Sequence, residues 1–318
     1  MKYLSDKYLI RIFLLLSFSF ASVGCTSTNS LEQTNANKDS ANIVLSKQQN
    51  IAQAKREELN NNPKKAIFYY IQALELDKND VDVFCQIGKI QNSLNSPELA
   101  IRAFKQALTI NPDHIPALAE VGIYYLEQRN MNKARTLLER SVNLDQNRLQ
   151  NGNIENGLIE LDQDSPLSAY NVYAVLNDLD SQHEYAREIF KLLLTISDDL
   201  SLIHTNLGYS YYLTHHYVLA EKHYKEALNA NPAFERAKLN LGLIYVRTGQ
   251  YNKSIQLFKQ VMTTAEAYND IGYFLLLDGR YQEAKYFLQH AIDLSPTYYK
   301  KSHINLENVQ LYLHEIEI

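Results

Sequence analysis

Residues 205–232 read TNLGYSYYLTHHYVLAEKHYKEALNANP, and this run decides the fold because its small residues, aromatics and proline recur elsewhere at fixed offsets. From Gly208 the intervals to Ala220, Tyr224, Ala227 and Pro232 are 12, 16, 19 and 24 residues, and from Gly88 the same intervals reach Ala100, Phe104, Ala107 and Pro112. Gly88 and Gly122 lie 34 residues apart, as do Ala66, Ala100 and Ala134, and again Ala174, Gly208 and Gly242. With only 10 Gly and 7 Pro in 318 residues, long helices joined by short turns are expected. A constant 34-residue period then predicts a stack of helix–turn–helix units, none of which can bury its apolar face alone.

Numbering each unit so that Gly208 falls at place 8, the pattern has a small residue at place 8, alanine at place 20, an aromatic at 24, alanine at 27 and proline at 32. Small residues at places 8 and 20 let the paired backbones approach. The aromatic at 24 and the alanine at 27 are expected to pack on the following unit, and proline at 32 suits the break because it lacks an N–H. Repeats follow at 47–80, 81–114 and 115–148, then an interruption at 149–166, then 167–200, 201–234, 235–264 and 265–298. Gly242 and Gly272 are only 30 apart, so the sixth unit is trimmed in its second helix or the turn after it. Leu306, Val309, Leu313 and Ile316 form one apolar stripe on 299–318, as a helix capping the stack requires. The interruption, LQNGNIENGLIELDQDSP, reads equally as a loop, a short helix or a hinge. These residues resemble the tetratricopeptide repeat (TPR), which implies an all-α superhelical solenoid of about seven repeats with a concave groove.

The N-terminus reads separately. Lys2, Lys7 and Arg11 precede an apolar run from Ile12 to Phe20, too short to span a bilayer, so 1–24 is expected to be a cleaved export signal. Ser22-Val23-Gly24-Cys25 resembles the lipobox of bacterial lipoprotein precursors, although serine stands where leucine is usual. The resemblance implies acylation at Cys25 and, with Thr26 in place of aspartate, sorting to the outer membrane facing the periplasm. Ordinary cleavage without lipid is the alternative. Residues 25–46 are rich in Asn, Ser and Thr and read as a flexible tether.

Composition narrows function. A net charge of −5, falling to −7 once Lys2, Lys7, Arg11 and Asp6 are removed with the signal, leaves no basic excess for nucleic acid. No nucleophile elbow, phosphate loop, zinc-protease motif or cofactor signature is present, so neither an enzyme nor a cofactor is expected. His215, His216 and His223 are the nearest histidine group and read as a solvated turn rather than a metal site. Cys85 reads as a small packed hydrophobe.

On the first helices, places 2, 5, 9 and 12 are expected to line the concave side. In the second block they include Thr205, Tyr209 and Tyr212, then Arg236, Leu239 and Leu243, then Asn269, Tyr273 and Leu276. Tyrosine and arginine offer large contact areas with a polar handle, which fits a peptide groove. Solvated tyrosines are the other reading. A basic clamp for a terminal carboxylate would need cations in consecutive repeats, and Arg236 stands nearly alone.

The runs AYNVYAVLNDLDSQHEYAREIFKLLL from Ala169, TNLGYSYYL from Thr205 and AEAYNDIGYFLLLDGRYQEAKYFLQHAIDLSP from Ala265 resemble the TPR lipoprotein of the tight-adherence (Flp) pilus assembly system over about 167–310, departing from it at Tyr173-Ala174. That resemblance implies a non-enzymatic scaffold for a pilus secretion machine, with a secretin or another machine component as partner. The alternatives are a type IV pilus or general envelope-assembly lipoprotein, and an accessory of a cell-wall enzyme.

Overall fold

The computed structural model describes residues 45–150 and 157–317, with side chains to 314. The expected signal, Cys25 and nearly all of the tether lie outside the described residues. Within them there are fifteen helices and no strand. The helices pair as α1 (Lys47–Leu59) with α2 (Pro63–Leu76), α3 (Val81–Ser93) with α4 (Pro97–Ile110), and α5 (Ile115–Glu127) with α6 (Met131–Gln150). After the interruption come α7 (Leu167–Leu179) with α8 (His183–Ile196), α9 (Leu200–Leu213) with α10 (Tyr217–Ala230), α11 (Glu235–Arg247) with α12 (Tyr251–Phe258), and α13 (Thr264–Leu277) with α14 (Tyr281–Asp293). A last helix, α15 (Lys300–Glu317), covers the end.

The turn inside every pair is built the same way. One residue per repeat has a left-handed backbone, namely Asn61, Asn95, Arg129, Ser181, His215, Gly249 and Gly279, all at place 15. The next residue's N–H closes the first helix by donating to a carbonyl five residues back, from Asn62 to Glu57 through to Arg280 to Leu275, at 2.7–3.0 Å. This six-residue closure captures a carbonyl that the helix end would leave bare. Glycine or asparagine, which adopt this backbone readily, stands at four of the seven positions, and at Arg129, Ser181 and His215 packing of the pair imposes the turn.

The place-24 side chains pack on the following repeat as expected, Phe104 with Val121, Tyr224 with Ile244 and Phe258 with Ile271. They also cover place 8 of their own repeat, which spacing did not foresee. A methyl added at Gly88, Gly208 or Gly242 would meet the ring of Phe104, Tyr224 or Phe258 at 2.5, 2.8 and 2.2 Å, and at Gly122 or Gly272 it would meet Leu138 or Leu288. The reason is geometric: with 16 residues between the places, one tight turn folds the ring directly back over the glycine. Place 20 is a fully buried alanine in six repeats and Ser254 in the sixth. The Ser254 hydroxyl is buried without a hydrogen-bond partner, a loss of solvation of about 1–3 kcal/mol. Ser254→Ala is expected to stabilise the protein by about 1 kcal/mol and raise its melting temperature by about 2–4 °C in calorimetry; an unchanged or lower midpoint would refute this.

The trimming of the sixth repeat lies in its second helix: α12 has 8 residues where the other second helices have 13 to 20. In the cap, Leu306 and Val309 are buried against Leu276 and its neighbours, and Leu313 packs on the same cluster. At the interruption α6 runs on to Gln150, and 157–166 forms no helix. Gln146 holds the returning chain by its side-chain amide, donating to Ile159 O (3.2 Å) and accepting from Ile159 N (2.7 Å). Arg148 makes a two-point contact with Asp162 at 2.7 Å on each oxygen, which holds that carboxyl well below its usual range. Leu161 is buried in a cluster that extends from Ala119 through Tyr170 and Phe190 to Leu207. One continuous core therefore crosses from the third repeat to the fifth, which argues against a hinge at this point.

Candidate functional site

Between 167 and 298 the first helices of consecutive repeats touch one another, α7 with α9, α9 with α11 and α11 with α13, while the second helices make no comparable contact among the described residues. The first helices therefore line the tighter, inner side of the stack. That is the surface expected to receive a partner.

Close approach of the inner helices has buried much of the expected lining. Thr205, Tyr209, Tyr212, Leu243, Asn269 and Leu276 are all under 10% exposed. Arg236, Leu239 and Tyr273 are half-buried and retain surface. Thr205 donates its hydroxyl to Ser201 O within its own helix (2.7 Å). Tyr209 stacks on Tyr212, with centroids 6.0 Å apart, inside a cluster with Tyr224, Leu241, Ile244 and Tyr245. Burial pushes both phenols up from their ordinary range. Arg247 donates to the Tyr212 hydroxyl (3.0 Å) and pairs with Asp278. Tyr209 and Tyr212 thus fill the space between α9 and α11, because a tyrosine is long enough to reach the neighbouring repeat.

A polar row runs beside them, of which spacing had singled out only Arg236 and Asn269. Asn206 donates to Asn171 Oδ1 (2.7 Å), and Arg236 donates through Nη2 to Asn206 Oδ1 (2.8 Å). Further along, Ser302 and Asn305 donate to Asn269 Oδ1 at 2.9 and 3.1 Å, and Asn269 donates to Asp270 (3.0 Å). The recurrence of asparagine at places 5 and 6 of these first helices, Asn171, Asn206 and Asn269, is the signal that could have revealed the row. Arg236 is its one cation. Its guanidinium lies 5.7 Å from the Phe234 ring, its Nε is buried without a partner, and burial lowers its pKa. Among the described residues no carboxylate stands within ion-pair distance of Arg236. In the first block the inner surface differs: Asn92 donates to Glu120 (3.2 Å), whose carboxyl is pushed up by burial.

Two clusters test the enzymatic alternative. Ser210 Oγ donates to Asp178 Oδ1 (2.8 Å) and His183 Nδ1 contacts the same oxygen (2.9 Å), while Arg187 donates to Ser210 Oγ (3.1 Å) and Thr214 (2.8 Å). Serine and histidine both bind the carboxylate rather than each other, so the serine–histidine hydrogen bond of a triad is not formed. The network is buried and joins repeats four and five. Cys85 is buried among Ala100, Phe104 and Val121, and desolvation pushes its thiol up to about 11, the behaviour of a packing residue.

Comparisons with known proteins agree with this architecture. Tetratricopeptide-repeat family models match residues 239–272 and 264–295, and a model of the CABIN1 N-terminal domain matches 24–123. A peroxisomal targeting signal receptor of Candida albicans is 25% identical over 217 residues, covering 60% of this chain and 36% of the receptor. That of Kluyveromyces lactis is 21% identical, covering 64% and 39%. The chain thus spans well under half the length of these curated relatives. Among solved structures, PilW, described as a widely conserved type IV pilus biogenesis factor, superposes with a TM-score of 0.51 at 15% identity, covering 70% of this chain and 93% of that one. The Cut9–Hcn1 assembly gives 0.51 at 14% identity, covering 80% and 48%. At these identities the likeness is one of fold. The repeated place-15 turn, the place-8 to place-24 docking and the family matches together make the chain an all-α solenoid of tetratricopeptide repeats.

Proposed function

We propose that the chain is a non-enzymatic scaffold that holds a segment of a partner protein along its inner helices, and that it serves the assembly of a tight-adherence (Flp) pilus machine from a lipid anchor at Cys25 in the outer membrane. The observation that carries the binding reading is Arg236, aimed by Asn206 and, among the described residues, with no carboxylate within ion-pair distance. A guanidinium kept partly desolvated and unpaired is a ready partner for an acidic side chain of an incoming segment, where a charged hydrogen bond contributes about 1.5–3 kcal/mol. The pilus reading rests on the runs at 167–310 and the lipobox, and a pilus biogenesis factor of the same fold accords with it. An anchor that confines scaffold and secretin to one membrane raises their effective concentration.

Two measurements test it. Removing the gene with its neighbours intact is expected to abolish surface pili or secretin multimers; normal levels of both would overturn the pilus assignment. Arg236→Met is expected to weaken capture of the partner from crosslinked native membranes about tenfold or more while leaving the melting temperature nearly unchanged. Undiminished capture would remove Arg236 from the interface.

A further inference from the structure

His204 on α9 and His223 on α10 belong to neither the core nor the inner row, yet their Nδ1 atoms stand 3.1 Å apart. Two neutral imidazoles in that position make one hydrogen bond between them and must adopt opposite tautomers to do so. Both rings are half-buried. The Tyr211 ring lies parallel to His223, 1° off and 5.4 Å away, which fixes the plane of that imidazole. The turn histidines do not join them: His215 contacts the Tyr217 hydroxyl and His216 that of Thr214.

We propose that His204 and His223 form a two-imidazole binding site for a divalent transition-metal ion of the zinc class. Nitrogen ligands bound at about 2.0–2.1 Å around a tetrahedral ion stand about 3.3 Å from each other, so a few tenths of an ångström of side-chain movement replaces the hydrogen bond with two metal bonds. In the hydrogen-bonded pair one Nδ1 lone pair is free and the other Nδ1 carries the shared proton, so metal binding moves that proton through solvent to Nε2 of the same ring and leaves both Nδ1 lone pairs to the ion. Glu226, one turn beyond His223, lends negative charge to both rings, while Lys222 near both and Lys191 near His223 oppose it. No group of three or more histidine, cysteine or carboxylate ligands occurs among the described residues, so water completes the coordination. Such an open two-point site binds copper(II) more tightly than zinc(II), following the general order for nitrogen ligands.

Titration calorimetry of the full chain with zinc chloride at pH 7.5 tests the site. One equivalent is expected to bind in the wild type and to weaken about tenfold or more in His204→Gln and in His223→Gln, whereas the His215→Gln/His216→Gln pair retains it. Identical isotherms for wild type and either single variant would overturn the proposal. Because a variant could lose its fold, the histidine ring-proton resonances of the wild type provide a second reading. Zinc is expected to move those of His204 and His223 first. Movement confined to other histidines would overturn the site as well.

Discussion

Gly242→Ala is expected to cost about 3 kcal/mol, at the upper end of what overpacking a core costs. The added methyl would lie 2.2 Å from Phe258 Cε1 and within 3 Å of two more ring carbons, closer than at any other glycine of the stack. Phe258 is almost fully buried and is the last residue of the shortened α12, so its ring has neither open space nor a following turn to move into. In the first and fourth repeats the same place carries a methyl, Ala54 and Ala174, and both are fully buried, so place 8 does not exclude a methyl in every repeat. In the Phe258→Ala background the Gly242→Ala cost is expected to fall to nearly zero, since the clash has no second partner. Chemical denaturation of the four proteins of that cycle measures it. Equal costs in both backgrounds would mean that backbone propensity, not the ring, makes glycine necessary.

The period was legible because each unit repeats one steric demand at place 8 and one at place 20, and only the smallest residues meet them. The trimmed sixth repeat and the cap followed from the same spacing. What spacing could not provide was the direction in which a side chain points. The place-24 rings were expected to face the next repeat and do so, but the place-15 turn also lays them over place 8 of their own first helix. The His204–His223 contact joins places 4 and 23, residues that no helical period relates, and the spacing of histidines along the chain grouped His223 with His215 and His216 instead of with His204. The interruption left three alternatives open because its own composition is polar. What anchors it is Gln146 and Arg148, which lie on the preceding helix and pair with Ile159 and Asp162.

Tyr209 and Tyr273 occupy the same place in repeats five and seven, and the structure separates their roles. Tyr209 is 8% exposed, stacked on Tyr212 and enclosed by the cluster around Tyr224. Tyr209→Ala removes a ring from that cluster and is expected to lower stability by about 3–4 kcal/mol, the usual cost of truncating a buried aromatic. Tyr273 is half-buried beside Phe274, and Tyr273→Ala is expected to change stability by about 1 kcal/mol or less while weakening partner capture. Denaturation midpoints and capture from crosslinked membranes, measured on both variants, distinguish the two. A stable Tyr209→Ala protein with impaired capture would return that ring to the groove. Loss of stability at Tyr209 and loss of binding at Tyr273 would instead place the binding surface on the half-buried side chains, Arg236, Leu239 and Tyr273. The stacked tyrosines beneath would then be the support that holds the inner helices at their spacing.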